Sequence, residues 1–381
     1  MTSSDSDSTV FRCPELSIVD LDGVDAEAIL NNLTTNRVRD MATGDAVETF
    51  LTNVKGKCIG HVMAYRTDSG YRLIGAGGQS QAVVDLLDRY TIREDAVPTI
   101  RDEAILGWAV MVSRGPALDG DQPGEERGWC RASTATGRFD LYRVPWLGFD
   151  ASGAGETWLC AAGGDGPDAS VVDERSLEER AREAIERWWG ASVASEPWGD
   201  VPGFHAARVA AGFPWYGIDF GDSHLPQEVN RNESTLCFTK GCYLGQETVA
   251  RLDALGQVQK QIVGWRIEGL PADQQPPADT KLYPLPELPS PEEGHGVIPD
   301  AGVALEGKPV GRLTSVAPLP ASSTAVALGF ARRSHFDPDA VAVGELASGV
   351  RFRATVRSVT AGQGDRSSRL GGRITPSHPG E

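Results

Sequence analysis

The chain of 381 residues carries 36 basic and 53 acidic side chains, a net charge of −17, and a pI near 4.8. That acid excess opposes attachment to a phosphate backbone or an anionic membrane, so nucleic-acid and membrane-surface roles are disfavoured. No run reaches the ~18 apolar residues of a membrane span, and the polar opening "MTSSDSDST" is unlike a targeting peptide; both predict a cytoplasmic protein with a disordered start over 1–12.

At ~150 residues per domain this length predicts two or three domains, and 40 % hydrophobic content suffices for a core in each. From the N-terminus, "LSIVDL" reads as strand and "DAEAILNNL" as helix with Asp25 at its N-cap; "AVETFLTN", "IGHVMAYRT" and "YRLIGA" read as strands. The turn "TDSGY" joins the last two into a hairpin, and "SQAVVDLLDRYTI" follows as an amphipathic helix, an α+β pattern. The Gly/Asp/Glu-rich stretches 115–137 and 150–170 read as loops flanking strands such as "TWLCAA". "DERSLEERAREAIERWWG" has Leu177, Ala181, Ala184, Ile185 and Trp188 at helical spacing and predicts a surface helix that Gly190 stops.

Beyond residue 258 the runs "QIVGWRIEG", "VGRLTSV", "AVALGFARR" and "VRFRATVRSV", separated by Pro-rich loops of which 270–299 is the longest, give barrel or sandwich signals. The expected organisation is an α+β region over 13–257, a β unit over 258–361, and a disordered tail over 362–381.

The six cysteines include no CxxC pair, and the six histidines form no HxxxH or HExxH, so neither a disulfide framework nor a metal site is indicated. "GAGGQS" at 75–80 misses the dinucleotide fingerprint because Ser80 stands where the third glycine belongs. "RVAAGFPWYGIDFGDSHLPQE" holds Arg208, Gly217, Asp219, Gln227 and Glu228, and two readings of it stand side by side. It is a packed loop with Phe213, Trp215 and Tyr216 as anchors, or a pocket rim where Asp219 or Glu228 pairs with a planar N–C–N edge such as that of a pterin.

"FTKGCYLGQETVARLDALGQVQ" presents a second pair of readings. A thiolate is favoured by a nearby cation and by helix N-terminal amides, and Cys242 has Lys240 two residues before it and a helix expected to start after Gly245. The alternative is a buried structural cysteine in a turn, the reading given also to Cys237 and Cys58.

The string Lys240-Gly241-Cys242-Tyr243-x-Gly245-Gln246-Glu247, with "VAR" and "LGQVQK" after it, resembles the signature of the YgfZ family, folate-binding relatives of the glycine cleavage T-protein. The likeness extends to "LSIVDLDGVDAEAILNNLTTNRV", to "RVAAGFPWYGIDF…LPQE" and to "VGRLTSVAPLP…AVALGFARR". It implies α+β subdomains around a central folate channel with a C-terminal β-barrel, tetrahydrofolate as ligand, and iron–sulfur client or assembly proteins as partners. It also implies that Cys242, with Lys240, acts in maturation or repair of iron–sulfur clusters, and that Arg208, Gly217 and Asp219 hold the folate. In the T-protein branch two adjacent acids occupy the hairpin where Gly60 and His61 stand here, so folate-dependent one-carbon transfer is the alternative function, disfavoured by those two residues.

Overall fold

The structure, a computed structural model, describes residues 9–102, 106–112, 128–133, 138–147, 156–162, 174–195, 197–256, 258–271, 274–285, 305, 307–318 and 324–357. Its first half runs β1 (Thr9–Arg12), β2 (Leu16–Asp22), α1 (Ala26–Leu33), β3 (Ala46–Thr52), β4 (Cys58–Arg66), β5 (Gly70–Ala76), α2 (Ser80–Tyr90), β6 (Val97–Ile100), β7 (Leu106–Val112), β8 (Trp129–Ser133), β9 (Arg138–Val144) and β10 (Glu156–Ala162). Then follow α3 (Glu174–Trp189), α4 (Ala191–Ser195), α5 (Val201–Ala211), α6 (Asn232–Thr235) and α7 (Gln246–Leu255), and last the strands β11 (Lys260–Glu268), β12 (Lys281–Pro284), β13 (Gly311–Pro318), β14 (Thr324–Arg332), β15 (Val341–Glu345) and β16 (Arg351–Arg357).

Two five-stranded antiparallel sheets, β3-β4-β5-β2-β6 and β1-β7-β10-β9-β8, form the first body. Alternation along each strand sends its two sets of side chains to different layers. In β4, Val62 and Ala64 pack with Leu30, Val83 and Leu87 under α1 and α2. Met63 and Tyr65 turn the other way and join Ile74, Tyr142 and Leu159 between the sheets, with Phe204, Phe213 and Trp215 filling the same layer. Helix α3 covers the far face of the second sheet: Ala181, Ala184, Ile185 and Trp188 are buried against Val10, Trp108 and Trp158. Arg72 braces the two sheets, donating to Asp20 within its own at 2.6 and 2.8 Å and to Tyr142 across the layer at 2.8 Å.

The last six strands close into a barrel, β11-β14-β13-β12-β15-β16, around Trp265, Leu282, Leu313 and Phe352. A further apolar cluster seals it to the first body: Ile262, Leu328 and Phe330 of the barrel lie with Phe50, Cys58, Phe220 and Val249.

Several expectations are corrected. Strand β1 lies within the stretch read as disordered, because Val10 reaches the tryptophan cluster beneath α3. Strand β8 lies inside 115–137 and β12 inside 270–299, both read as loop. Asp25 stands at the N-cap of α1 but leaves the helix uncapped; its carboxylate accepts the Asp95 amide instead, at 2.8 Å. Residues 1–8, the tail from 358, and most of 115–137 and 150–170 lie outside the described residues. Among the described residues no helix is long and apolar enough to cross a membrane.

Candidate functional site

Between the two sheets lies a narrow pocket walled by Met63, Ile74, Trp146, Phe213, Trp215 and Tyr216 and floored by Glu48 and His61. Register places its polar floor. Glu48 of β3 faces Met63 of β4, and His61 faces Phe50, so Glu48 and His61 are diagonal neighbours on one face. His61 Nε2 lies 2.7 Å from Glu48 Oε1, and Arg231, just before α6, donates from Nε at 2.5 Å and from Nη2 at 2.6 Å to the two oxygens of the same carboxylate. The imidazole is stacked between Phe50 at 4.6 Å and Phe213 at 5.7 Å, and the Arg231 guanidinium lies 4.5 Å above the Phe213 ring.

Burial works against the Glu48 charge, but the Arg231 cation, its two hydrogen bonds and the His61 bond outweigh it, holding the carboxyl well below the usual carboxylate range. Burial also pushes the His61 pKa down, by more than the bond to Glu48 restores, so the ring is neutral near pH 7 and donates its Nε2 proton. Glu48 is the one carboxylate lining this pocket among the described residues, and both its oxygens are engaged.

Gly60 takes no part in the pocket. It faces α2, where an added Cβ would meet Val83 at 2.9 Å and Gln79 Oε1 at 3.2 Å. Of the hairpin pair Gly60 and His61, His61 alone lines the pocket.

The residues singled out between 208 and 228 are gathered mostly for another task. Arg208 donates to Asp219 Oδ2 at 2.6 Å and to Ser315 at 2.9 Å; the Trp215 amide, Thr314 and Ser315 supply the other donors to Asp219. The pair is buried, with side-chain exposures of 1 % and 0 %, and because Thr314 and Ser315 belong to β13 it locks this segment to the barrel. A pterin edge at Asp219 would meet a carboxylate whose oxygens already accept four donors.

Gly217 has φ +85° and open space around its Cα, and its amide donates to Phe220 O at 2.7 Å, so here the left-handed turn requires glycine. Gln227 is buried and donates to Val249 O at 2.7 Å, while its Oε1 has no hydrogen-bond partner among the described residues. Glu228 accepts the Leu225 amide at 3.0 Å and faces Lys260 at 3.8 Å.

The cysteine loop is pinned to the end of α1. Cys237 and Leu244 donate backbone amides to Thr35 O and Asn32 O at 3.0 and 2.9 Å, and Thr52 Oγ1 donates to Leu244 O at 2.6 Å. Lys240 Nζ donates to Thr34 O at 2.5 Å and Asn36 O at 2.6 Å, and lies 5.2 Å over the Tyr243 ring. Its burial pulls its pKa down to about 7, and Cys237 is the group whose charge opposes that fall.

The expected arrangement around Cys242 is therefore altered. The Lys240 ammonium is taken up by carbonyls that terminate α1, and α7 begins at Gln246 behind the Gly245 cap, four residues past the cysteine. Cys242 is exposed rather than buried; Cys237, read as buried, is partly exposed, and Cys58 is buried as read.

Sequence reasoning missed Glu48 and Arg231. The available signal was a single acid in the otherwise apolar strand "AVETFL", since a buried carboxylate requires a cationic partner.

Two sheets enclosing an aromatic-walled pocket, with a barrel closing one side, define the glycine cleavage aminomethyltransferase fold. The aminomethyltransferase T structure from Bartonella henselae superposes with a TM-score of 0.63 at 14 % identity, covering 93 % of this chain and 86 % of that one. By sequence the chain is similar to an aminomethyltransferase of Streptomyces avermitilis, 22 % identical over 342 residues, 88 % of this chain and 81 % of the relative. It also matches the tRNA-modifying protein YgfZ of Colwellia psychrerythraea, 28 % identical over 109 residues. A mitochondrial iron–sulfur cluster assembly factor IBA57 homologue of Phaeosphaeria nodorum is 34 % identical over 97 residues. These last two matches cover 28 % and 24 % of this chain and only 31 % and 23 % of the relatives' lengths. No family profile matches the chain. It is a relative of YgfZ, IBA57 and aminomethyltransferase proteins and shares the aminomethyltransferase fold.

Proposed function

We propose that this chain binds tetrahydrofolate in the pocket between its sheets and serves the assembly or repair of iron–sulfur clusters in client proteins, with Cys242 as the reacting thiol. The observation that carries the reading is the contrast within one loop: Cys242 is exposed, while Lys240 and Leu244 on either side are bonded to the end of α1. A thiol held out on an anchored backbone is accessible without being mobile, which suits transfer to or from a partner.

The residues lining the pocket support a reduced folate as its ligand by their chemistry. Trp146, Phe213 and Trp215 offer flat apolar walls, and the floor is a neutral imidazole fixed by an ion pair. The bound folate would supply one-carbon or redox chemistry of its own. This chain's part is to stack the ring and to keep His61 in one tautomer through Glu48 and Arg231. Gly217 belongs to the turn that follows Trp215 and Tyr216, and Arg208 and Asp219 shape the wall by fixing that turn, with no direct contact to the ligand required.

Folate-dependent aminomethyl transfer is the second reading, favoured by the match over 88 % of the chain to an aminomethyltransferase. Against it stands the pocket's acid, whose oxygens are both engaged, with His61 where a transferase carries a carboxylate. The deciding experiment measures tetrahydrofolate binding, ammonia release from an aminomethyl carrier, and client iron–sulfur enzyme activity in parallel for the native protein and Cys242→Ser. Binding by both proteins, no ammonia, and client activity lost only in the variant is the expected pattern. Ammonia release, or full client activity with Cys242→Ser, would overturn it.

A further inference from the structure

The loop that presents Cys242 contains a second partly exposed thiol, Cys237, five residues earlier. The other cysteines differ in setting. Cys13, Cys58 and Cys160 are buried, and burial raises the pKa of each thiol; Cys130, partly exposed, lies on β8, away from this loop in sequence.

The segment between the pair folds back on itself. A turn covers Phe238 and Thr239, and Gly241 has φ +96°, a conformation that reverses the chain and that glycine adopts without strain. Both ends are tied to one short stretch of backbone, Cys237 to Thr35 and Leu244 to Asn32, which holds the two ends of the loop near each other. The Cys237 sulfur sits against its own turn. Thr239 Oγ1 lies 3.6 Å from the same sulfur.

We propose that Cys237 and Cys242 form a dithiol that closes to an intrachain disulfide through exchange with a low-molecular-weight disulfide. The exposed Cys242 thiolate attacks one sulfur of the small disulfide, forming a mixed disulfide and releasing one small thiolate. The Cys237 thiolate then attacks the Cys242 sulfur; the Cys237–Cys242 bond forms as the second small thiolate leaves. Two protein thiols are oxidised, one small disulfide is reduced to two thiols, and the two protein protons end on those thiols. Closure needs the two Cα atoms within about 4.4–6.8 Å, and the turn at Phe238 and Thr239 with the reversal at Gly241 turns the segment back in that direction. If Cys242 serves iron–sulfur clients as proposed above, closure withdraws it from that work, but the exchange itself is independent of that reading.

The test incubates the folded native protein with glutathione disulfide, then measures intact mass and maps the thiols left free by alkylation. The expected product has lost two hydrogens, carries no added glutathionyl group, and yields a proteolytic fragment in which Cys237 and Cys242 are joined. Native protein that accumulates glutathionyl-Cys242 with Cys237 still alkylatable would overturn the proposal. Cys237→Ser should instead stop at one glutathionyl group on Cys242.

Discussion

His61 of β4 donates to Glu48, its diagonal neighbour on β3, and Arg231, 183 residues further along than Glu48, grips the same carboxylate with two donors. This triad turns the floor of the pocket into a neutral, rigid surface, and its consequences are measurable.

Stability should rise between pH 5 and 7. His61 has its folded pKa below its usual value, so below about 6.5 the unfolded chain binds a proton that the folded chain refuses, and stability is lost as pH falls. Each such group contributes at most ~1.4 kcal/mol per pH unit in that window. Burial also lowers the pKa of His205, His224 and His335, with the same sign. Urea unfolding across this range should show the rise, and His61→Gln should flatten it; an unchanged slope would mean His61 is protonated in the fold. Glu48 acts at lower pH, where its stabilising charge is lost as pH drops below the usual carboxylate range.

Glu48→Gln should destabilise the fold by about 3–5 kcal/mol, because it leaves the Arg231 guanidinium buried without its counter-charge. The fall is read as a lower urea midpoint at unchanged slope.

Asp219→Asn should cost a similar ~3–5 kcal/mol for the same reason, at Arg208. Here the loss should appear first at the seam with the barrel, as faster limited proteolysis between the first body and β11. Tetrahydrofolate affinity that falls while stability and proteolysis stay unchanged would return Asp219 to the role of a direct ligand contact.

Gly60→Asp should not create aminomethyl transfer. The new side chain would point at Val83 and Gln79 beneath α2, away from the pocket, at a cost of about 1–3 kcal/mol from overpacking. Ammonia release by this variant would show that the hairpin can present an acid to the pocket.

Tetrahydrofolate should quench tryptophan fluorescence through Trp146 and Trp215, which stand edge to face 5.3 Å apart in the pocket wall. Replacing either with Phe should remove a large part of the quench while retaining an aromatic wall. Saturating ligand that changes neither fluorescence nor calorimetric heat would place the folate elsewhere or nowhere.

Iodoacetamide should reach Cys242 before Cys13, Cys58 and Cys160, on exposure alone. Added salt should leave the Cys242 rate nearly unchanged, since the Lys240 ammonium is directed to Thr34 and Asn36 rather than to that sulfur. A strong salt effect would show that Lys240 leaves its carbonyls in solution.

The elements with strong periodicity were legible in the sequence: the β4–β5 hairpin, α2, α7 and the longer barrel strands all follow from local alternation or helical spacing. Short strands were not. β1 and β12 are four residues each, too brief for a period, and exist only through partners such as Met111 and Val343. At the site, the motif around Cys242 was visible because its residues are contiguous. The aim of Lys240 was not, since it depends on where α1 ends, 206 residues away. Asp219 was legible as important but not as a structural tie, because its partners Thr314 and Ser315 are supplied by the barrel.

The loop's attachment to α1 also sets the order in which the molecule can be built. The bonds that hold it join positions about 200 residues apart: Thr35 to Thr235, Thr52 to Leu244, Lys240 to Thr34. During synthesis the end of α1 therefore waits, its carbonyls uncovered, until more than half of the chain has left the ribosome. Only then does Lys240 dock, in the same event that brings Cys242 to the surface. A chain halted before Arg231 carries the pocket floor half made, with Glu48 lacking its cationic partner.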